Sequence, residues 1–387
     1  MPRPAHQTCF SLTIDGLERD VQVLAFSGEE AISKPYFFNM EWLANPGLDL
    51  ESLVDAEAFL GFDPQGRGIH GRIYHIERSG DRYRAVLVPH LSYLRHRINR
   101  RVYQGFSVPK IVALILEEHG ILGDAYRLEL KATYPQRDYR TQYDETDLHF
   151  IQRLCEEEGI HFHFQHSAQG HVLVFADDRT AFPRIGQATA LAQENGWVAG
   201  EHIQVPGART LERRYMVHRQ VEGQSKQVYL HSGHVVECSD CPGQGNDLWL
   251  LTQVFHEGRQ PEAWDDSVEP GDDVLQGYRN RFTALAWEVF HRPPVVHHKP
   301  QVPSSQVAVV IALEDEETPG EPRPGRVKVR FPWDREGRFD DKSSCWLVGA
   351  ASECGQVKPL QVGEEVTVTF VDGDPDQPRI GGCLCCR

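Results

Sequence analysis

The sequence predicts a mainly β protein with α+β insertions, and three observations carry that prediction. Runs of alternating apolar and polar residues recur along the chain, and a period of two marks a strand with one buried face. Between the runs stand Asp-Gly, Gly-Asp and Asp-Pro, which supply the backbone angles and side-chain-to-backbone bonds of tight turns. Sustained helical periodicity is confined to two segments, each bounded by helix start and stop residues. The length of 387 residues suits about two or three domains.

Residues 8–26, TCFSLTIDGLERDVQVLAF, read as two alternating strands about Asp15-Gly16, a hairpin dipeptide. GEEAISKPYFFNMEWLA adds a strand with Tyr36, Phe38, Met40 and Trp42 on one face. From Leu48 to Leu60, LDLESLVDAEAFL is a short helical or turn segment leading into a strand. IHGRIYHIERSGDRYRAVLVPHLSYLR is a strand pair about Ser79-Gly80-Asp81.

The first helix is predicted near 107–119. Ser107 is its N-cap, Pro109 lies in its first turn, Ile111, Leu114, Ile115 and His119 recur at helical spacing, and Gly120 closes it. The second is predicted near 145–158, with Leu148, Ile151, Leu154 and Cys155 as its buried stripe and Gly159 as its stop. In the strand IHFHF that follows, Ile160, Phe162 and Phe164 alternate against His161 and His163. HVLVFADD is one more strand.

The stretch 185–245 carries only scattered strand character. Beyond it, Trp249 to Val254 read as a strand and His256-Glu257-Gly258 as its turn. Pro293, Pro294, Pro300 and Pro303 mark a stiff, non-helical linker over 293–318. In the last stretch, 319–382, Val327, Val329 and Phe331 alternate with Arg326, Lys328 and Arg330. Cys345 to Val348 form a compact apolar run, and Val366, Val368 and Phe370 alternate with Thr367 and Thr369. Short strands at this spacing make a small barrel or sandwich.

These residues also carry a resemblance. GRVKVRFPWDREGRFDDKSSCWLVGAA followed by VGEEVTVTFVDGDPDQPRIGG is similar to the OB-type barrel of the VgrG family, the spike proteins of the bacterial type VI secretion system. Three stretches further back resemble the same family: the strand with His70, Gly71, Ile73 and Ile76, the SVPKIV helix start, and DETDLHFIQRLCEEEGIHFHF. NDLWLLTQVFHEG and YRNRFTALAWEVFHRPP follow the family order more loosely. The resemblance implies phage-tail-hub-like β-barrel domains with two short helices, followed by a small OB-type barrel. The expected divisions are a first hub barrel over 1–180, closed by the strand carrying His70, a second, shortened hub barrel over 181–292, the linker, the OB-type barrel over 319–382, and a Cys-rich tail over 383–387. The family's valine–glycine-rich β-helix has no counterpart in this sequence, which reads as a truncated or a degenerate member.

A net charge of −16 argues against a general phosphate-backbone binder. Arg326, Lys328, Arg330 and Trp333 could line a nucleic-acid face of such a barrel. Charge and resemblance both oppose this, and Trp333 and Trp346 read as packing residues. No apolar run is long enough to span a bilayer, and MPRPAHQTCF lacks the apolar core of a secretory signal. Synthesis in the bacterial cytoplasm and export without a cleaved leader are expected. Nine cysteines, an odd number, favour reduced thiols over a disulfide framework.

His231, His234, Cys238 and Cys241 are the weak candidates for a metal site, since imidazole and thiolate bind zinc and CxxC is a common half-site. The histidines lie too near the cysteines for the usual finger spacing, which favours a surface hairpin with incidental thiols. Cys383, Cys385 and Cys386 read as free thiols at a chain end. Cys155, with His161 and His163 nearby, imitates a nucleophile and base, but it falls on the apolar stripe of its helix. Asp265-Asp266 and Asp272-Asp273 read as solvated turn charges. No GxSxG, HExxH, P-loop or dinucleotide glycine run appears, so no catalytic residue and no cofactor is assigned.

The expected function is mechanical. The resemblance implies a homotrimer at the tip of a contractile tube, docked on a hexameric tube protein and carrying a tip protein or effector. It touches the target-cell membrane only transiently. The alternatives are an effector-loading adaptor without a piercing role, and a cell-wall hydrolase fused to a spike scaffold.

Overall fold

A computed structural model describes residues 10–44, 47–185, 198–199, 220–238, 247–260, 277–313, 326–333, 345–348 and 360–383. The N-terminal strands are β1 (Ser11–Ile14), β2 (Val21–Ala31), β3 (Lys34–Leu43), β4 (Glu57–Gly61), β5 (Gly68–Ser79) and β6 (Arg82–Val88), with a one-turn α1 (Leu50–Leu53) before β4. Next come β7 (Ile98–Tyr103), α2 (Val108–Glu118), β8 (Tyr126–Glu129), β9 (Arg140–Thr146), α3 (Asp147–Glu158), β10 (His161–Ser167) and β11 (Gly170–Ala176). Then follow β12 (Val198–Ala199), β13 (Gln220–Ser225), β14 (Val235–Cys238), β15 (Asp247–Arg259) and β16 (Gly277–Ala286). The last five are β17 (Gln306–Leu313), β18 (Arg326–Arg330), β19 (Cys345–Val348), β20 (Glu365–Phe370) and β21 (Pro378–Cys383).

The chain forms two compact units that interleave along the sequence, whereas the sequence reading divides it linearly. The first unit gathers the described residues of Met1–Ser92, Gly120–Ala132 and Gly159–Val295; the second gathers those of Tyr93–His119, Thr133–Glu158 and Val296–Arg387. The two helices, expected with the first barrel, therefore belong to the unit that holds the OB-type strands.

In the first unit, β1-β4-β5-β6-β3-β2 run in order, and β1 pairs with both β4 and β2. This closes a six-stranded barrel, in which β5, the strand carrying His70, pairs with β4 and β6. The β1–β2 connection spans Asp15 to Asp20, longer than the tight hairpin expected at Asp15-Gly16. Tyr36, Phe38, Met40 and Trp42 alternate into the core as predicted. Ile73 and Ile76 both face inward although three residues apart, because a bulge between Ile73 and His75 shifts the register against β6. From β2 the sheet continues through β15, β16, β13 and β12, with β14 on β15. Val221, Leu230, Val236, Trp249, Leu251 and Phe282 fill the core of this part. A separate sheet pairs β11 with antiparallel β10 and parallel β8.

Two expectations fail here. His161 and His163 are as buried as the aromatic residues they alternate with, so β10 is covered on both faces. His256-Glu257-Gly258 is no turn, since β15 runs through to Arg259 paired with β2 and β16. A Cβ at Gly258 would lie 2.2 Å from the Phe26 ring and 2.9 Å from Phe10. The glycine is there for close approach, not for a turn angle.

The second unit holds a five-stranded sheet in the order β19-β18-β17-β20-β21, whose core includes Val310, Val329, Phe331, Leu347, Val366 and Val368. β17 falls inside the expected proline-rich linker and is the central strand. Its run QVAVVIAL is strongly β-prone, and the flanking prolines obscured it. Trp333 stacks on Phe331 at 4.8 Å and donates to Gln306 Oε1 at 3.0 Å. Trp346 is half-buried, with Lys328 over its ring.

α2 buries Val108, Ile111, Val112, Ile115 and Leu116, so Val112 and Leu116 take the place expected for Leu114. Ser107 has the extended N-cap backbone but makes no side-chain cap bond. On α3 the predicted stripe of Leu148, Ile151, Leu154 and Cys155 is buried. Asp147 opens α3 fully buried. Its carboxylate accepts from Arg101, Asn99 and Gln142 at 2.8–2.9 Å, and from Arg97 and His119 at 2.6 and 2.7 Å. Burial opposes its charge, but these partners hold the carboxyl below its ordinary value. Arg153, also fully buried, donates to Glu145 and to the Thr141 carbonyl.

Candidate functional site

The densest unexpected chemistry in the first unit is a buried polar cluster on its β2–β15 seam. Along β2, Phe26, Gly28 and Glu30 share one side by alternation, and along β15 Val254, His256 and Gly258 do the same. β2 and β15 pair antiparallel with Val254 opposite Glu30, which brings Glu30 and His256 together on the inner side. His231 and Ser232 reach the same point from the segment before β14.

Glu30 is 2% exposed and His256 fully buried. Three nitrogens meet Glu30 Oε1 at 3.0 Å each: His231 Nδ1, His256 Nε2 and the Ser232 amide. A carboxylate only accepts, so His256 carries a proton on Nε2 and its Nδ1 accepts from the Tyr278 hydroxyl at 2.6 Å. Asn280 Nδ2 donates to that hydroxyl at 3.0 Å and to the Gln227 carbonyl at 2.8 Å. Burial alone would raise the Glu30 carboxyl; His231, then His256, outweigh it and hold it well below the usual carboxylate range. Burial lowers the basicity of His256 despite the facing Glu30, and raises the Tyr278 phenol.

His166 stands beside the cluster. Its Nδ1 accepts from the His70 amide at 3.3 Å, so its proton is on Nε2, 4.0 Å from Glu30 Oε2. It also lines an open cavity of about 560 Å³, together with His70, Arg72, His90 and His171. His70 and His171 meet there through their Nδ1 atoms at 3.2 Å, and the Tyr36 hydroxyl donates to the His70 carbonyl. Burial depresses His171 to about 3 and His166 well below its ordinary range.

Of the predicted metal candidates, His231 and His234 lie side by side, with ring centroids 5.5 Å apart. His231 is buried on Glu30 instead of lying on a surface hairpin, and sequence spacing gave no hint of its partner. His234 is largely buried, and burial lowers it to about 4. Cys238 ends β14 by its backbone, while its side chain and Cys241 lie outside the described residues, as do Asp265, Asp266, Asp272, Asp273, Cys385, Cys386 and the side chain of Cys383. Burial, then the charge of Glu156, pushes the Cys155 thiol up, the reverse of an activated nucleophile. Sequence reasoning missed Glu30 and His256. The available signal was strand alternation, which places a Glu two residues beyond Gly28 on the inward side.

These hydrogen bonds tie β2, β15 and the segment before β14 together around one buried carboxylate. The description "Phage tail baseplate hub (GPD)" matches residues 29–206, and "Type VI secretion system/phage-baseplate injector OB domain" matches residues 306–384. The spike protein VgrG4b of Pseudomonas aeruginosa is 47% identical over an alignment covering 99% of this chain and 57% of that protein. The chain belongs to the VgrG family of type VI secretion system spike proteins. VgrG5 of the same organism is 43% identical over 98% of this chain and 58% of its own length. The chain thus spans less than three fifths of these two VgrG relatives. A solved structure of the E. coli c3393 protein, described as a type VI component similar to the phage T4 tail proteins gp27 and gp5, aligns with a TM-score of 0.77. That alignment has 25% identity and covers 96% of this chain and 99% of the other.

Proposed function

We propose that the chain works as the hub and spike base of a type VI secretion apparatus, through shape and assembly and not by making or breaking covalent bonds. The observation that supports this most is the succession on one chain of a baseplate-hub match and an injector OB match. In this reading three copies associate. The β1–β6 and β12–β16 strands of the first unit supply the hub barrels that dock on a hexameric tube protein. Residues 319–382 supply the barrel that carries a tip protein or effector. The target membrane is touched only in passing, nucleic acid is not a ligand, and the type VI system itself exports the protein.

Surface chemistry is consistent with assembly. Among the described residues, Phe37, Phe290 and Val295 are 43–54% exposed, and Val362 is 64% exposed. Large apolar side chains left in water mark surfaces that another chain can cover. The test is mass in solution by light scattering at rising concentration. A species of three times the 44.0 kDa chain mass is expected. A mass that stays at one chain throughout the accessible range overturns the trimer.

A further inference from the structure

We infer that Glu30, His231 and His256 form a site for one divalent first-row transition-metal ion, which clamps β2 to β15 and to the segment before β14. Two imidazoles and a carboxylate are a common donor set for such ions. The three donor atoms lie within 4.8 Å of one another, and all three residues are buried. Two ligand atoms about 2.1 Å from one ion and at a right angle to each other lie ~3.0 Å apart. That matches the 3.0 Å from Glu30 Oε1 to each ring nitrogen.

Hydrogen bonding alone explains the cluster poorly. Three nitrogens crowd onto Oε1, which has two lone pairs, while among the described residues Oε2 has only His166 at 4.0 Å. An ion bound by Oε1, His231 Nδ1 and His256 Nε2 replaces two of those protons and leaves one lone pair for the Ser232 amide. A neutral ring moves the proton on its ligating nitrogen to the other ring nitrogen, and an imidazolium loses it to solvent. For His256 that nitrogen faces the Tyr278 hydroxyl at 2.6 Å, the outer partner that orients a metal-bound imidazole.

His166 supplies the independent observation. It is 4% exposed at its side chain, and its Nε2 makes no hydrogen bond among the described residues, yet it faces Glu30. With Nδ1 already accepting from the His70 amide, Nε2–H is placed to donate to a metal-bound water, not to ligate. The cavity that His166 lines brings solvent to a ring that itself faces Glu30. With ligands this buried, the ion's role is structural: it cross-links segments far apart in the chain.

The test uses the full 387-residue chain without a histidine tag. The chain is stripped by chelator and dialysed, then titrated with Zn²⁺ and with Co²⁺. One equivalent is expected to bind, with a cobalt visible spectrum and a raised melting temperature. Glu30→Gln and His256→Phe should weaken binding by at least about tenfold, while Cys238→Ser/Cys241→Ser should not. X-ray absorption of the unsubstituted zinc form needs no variant to fold and should show only nitrogen and oxygen neighbours. Sulfur scattering at about 2.3 Å, or binding lost with the cysteines but kept in Glu30→Gln, overturns the site. So does the absence of stoichiometric binding to folded chain.

Discussion

Glu30 apart, the two compact units bury titratable groups by opposite means. The first hides histidines in their neutral form: burial lowers His163, His171 and His291 to about 3, and His161 and His234 to about 4. The second hides charges in pairs, with Asp147 against Arg97 and Arg101, and Arg153 against Glu145. A histidine held neutral in the core takes its proton more readily once the chain unfolds, so mild acid favours unfolding. A carboxylate already paired with arginine resists protonation until the pH falls below its ordinary range. Acid should therefore separate two regions that look equally well packed.

The largest effect is expected from that acid titration. An unfolded histidine takes its proton near the ordinary 6.5, whereas the folded ones accept it only near 3 to 4. As pH falls from 6.5 toward 4, the unfolded state gains protons first and the first unit loses stability. The slope is about 1.4 kcal/mol per pH unit for each such histidine. In the second unit Asp147, Glu156 and Asp374 are depressed carboxylates, so their contribution persists above the ordinary carboxylate range and is lost only below about pH 4. Hydrogen exchange read peptide by peptide should show β10 and β15 opening at a higher pH than α3 and β20. Simultaneous opening would erase the contrast.

Asp147→Ala comes next. It leaves Arg101, itself 7% exposed, without its buried counter-charge and should cost about 3–5 kcal/mol in denaturant unfolding. A loss below about 1 kcal/mol would mean that Glu118, 2.7 Å from Arg101, suffices as its partner. Gly258→Ala, which drives a methyl against Phe26 and Phe10, should destabilise the first unit by about 1–3 kcal/mol. Trp333→Phe keeps the stack on Phe331 but drops the bond to Gln306, and should cost the second unit only about 1 kcal/mol. The last two losses should appear as shifts in separate transitions if the units unfold independently.

The same contrast governs what could be read from the chain. Tyr36, Phe38, Met40 and Trp42 were legible because a strand's inner face is written in local alternation. The α3 stripe was legible for the same reason at helical spacing. Glu30, His231 and His256 were not, because their partners lie 201 and 226 positions apart and only strand pairing unites them. His161 and His163 misled because polar residues at alternate positions imply a wet face, and nothing local announces a second covering layer. β17 was overlooked because prolines before it suggested a linker.

β2 has neighbours on both sides over Ala25–Ala31, with β3 along one side and β15 along the other. One stave therefore serves the closed barrel and the sheet that follows it. Neither can shed that stave without unzipping the other, so the two should exchange their slowest amides in a single event. A fragment ending before β15 would keep every strand of the N-terminal ring yet leave β2 with a bare flank. Cutting the chain there is expected to yield a sticky product, not a smaller stable module.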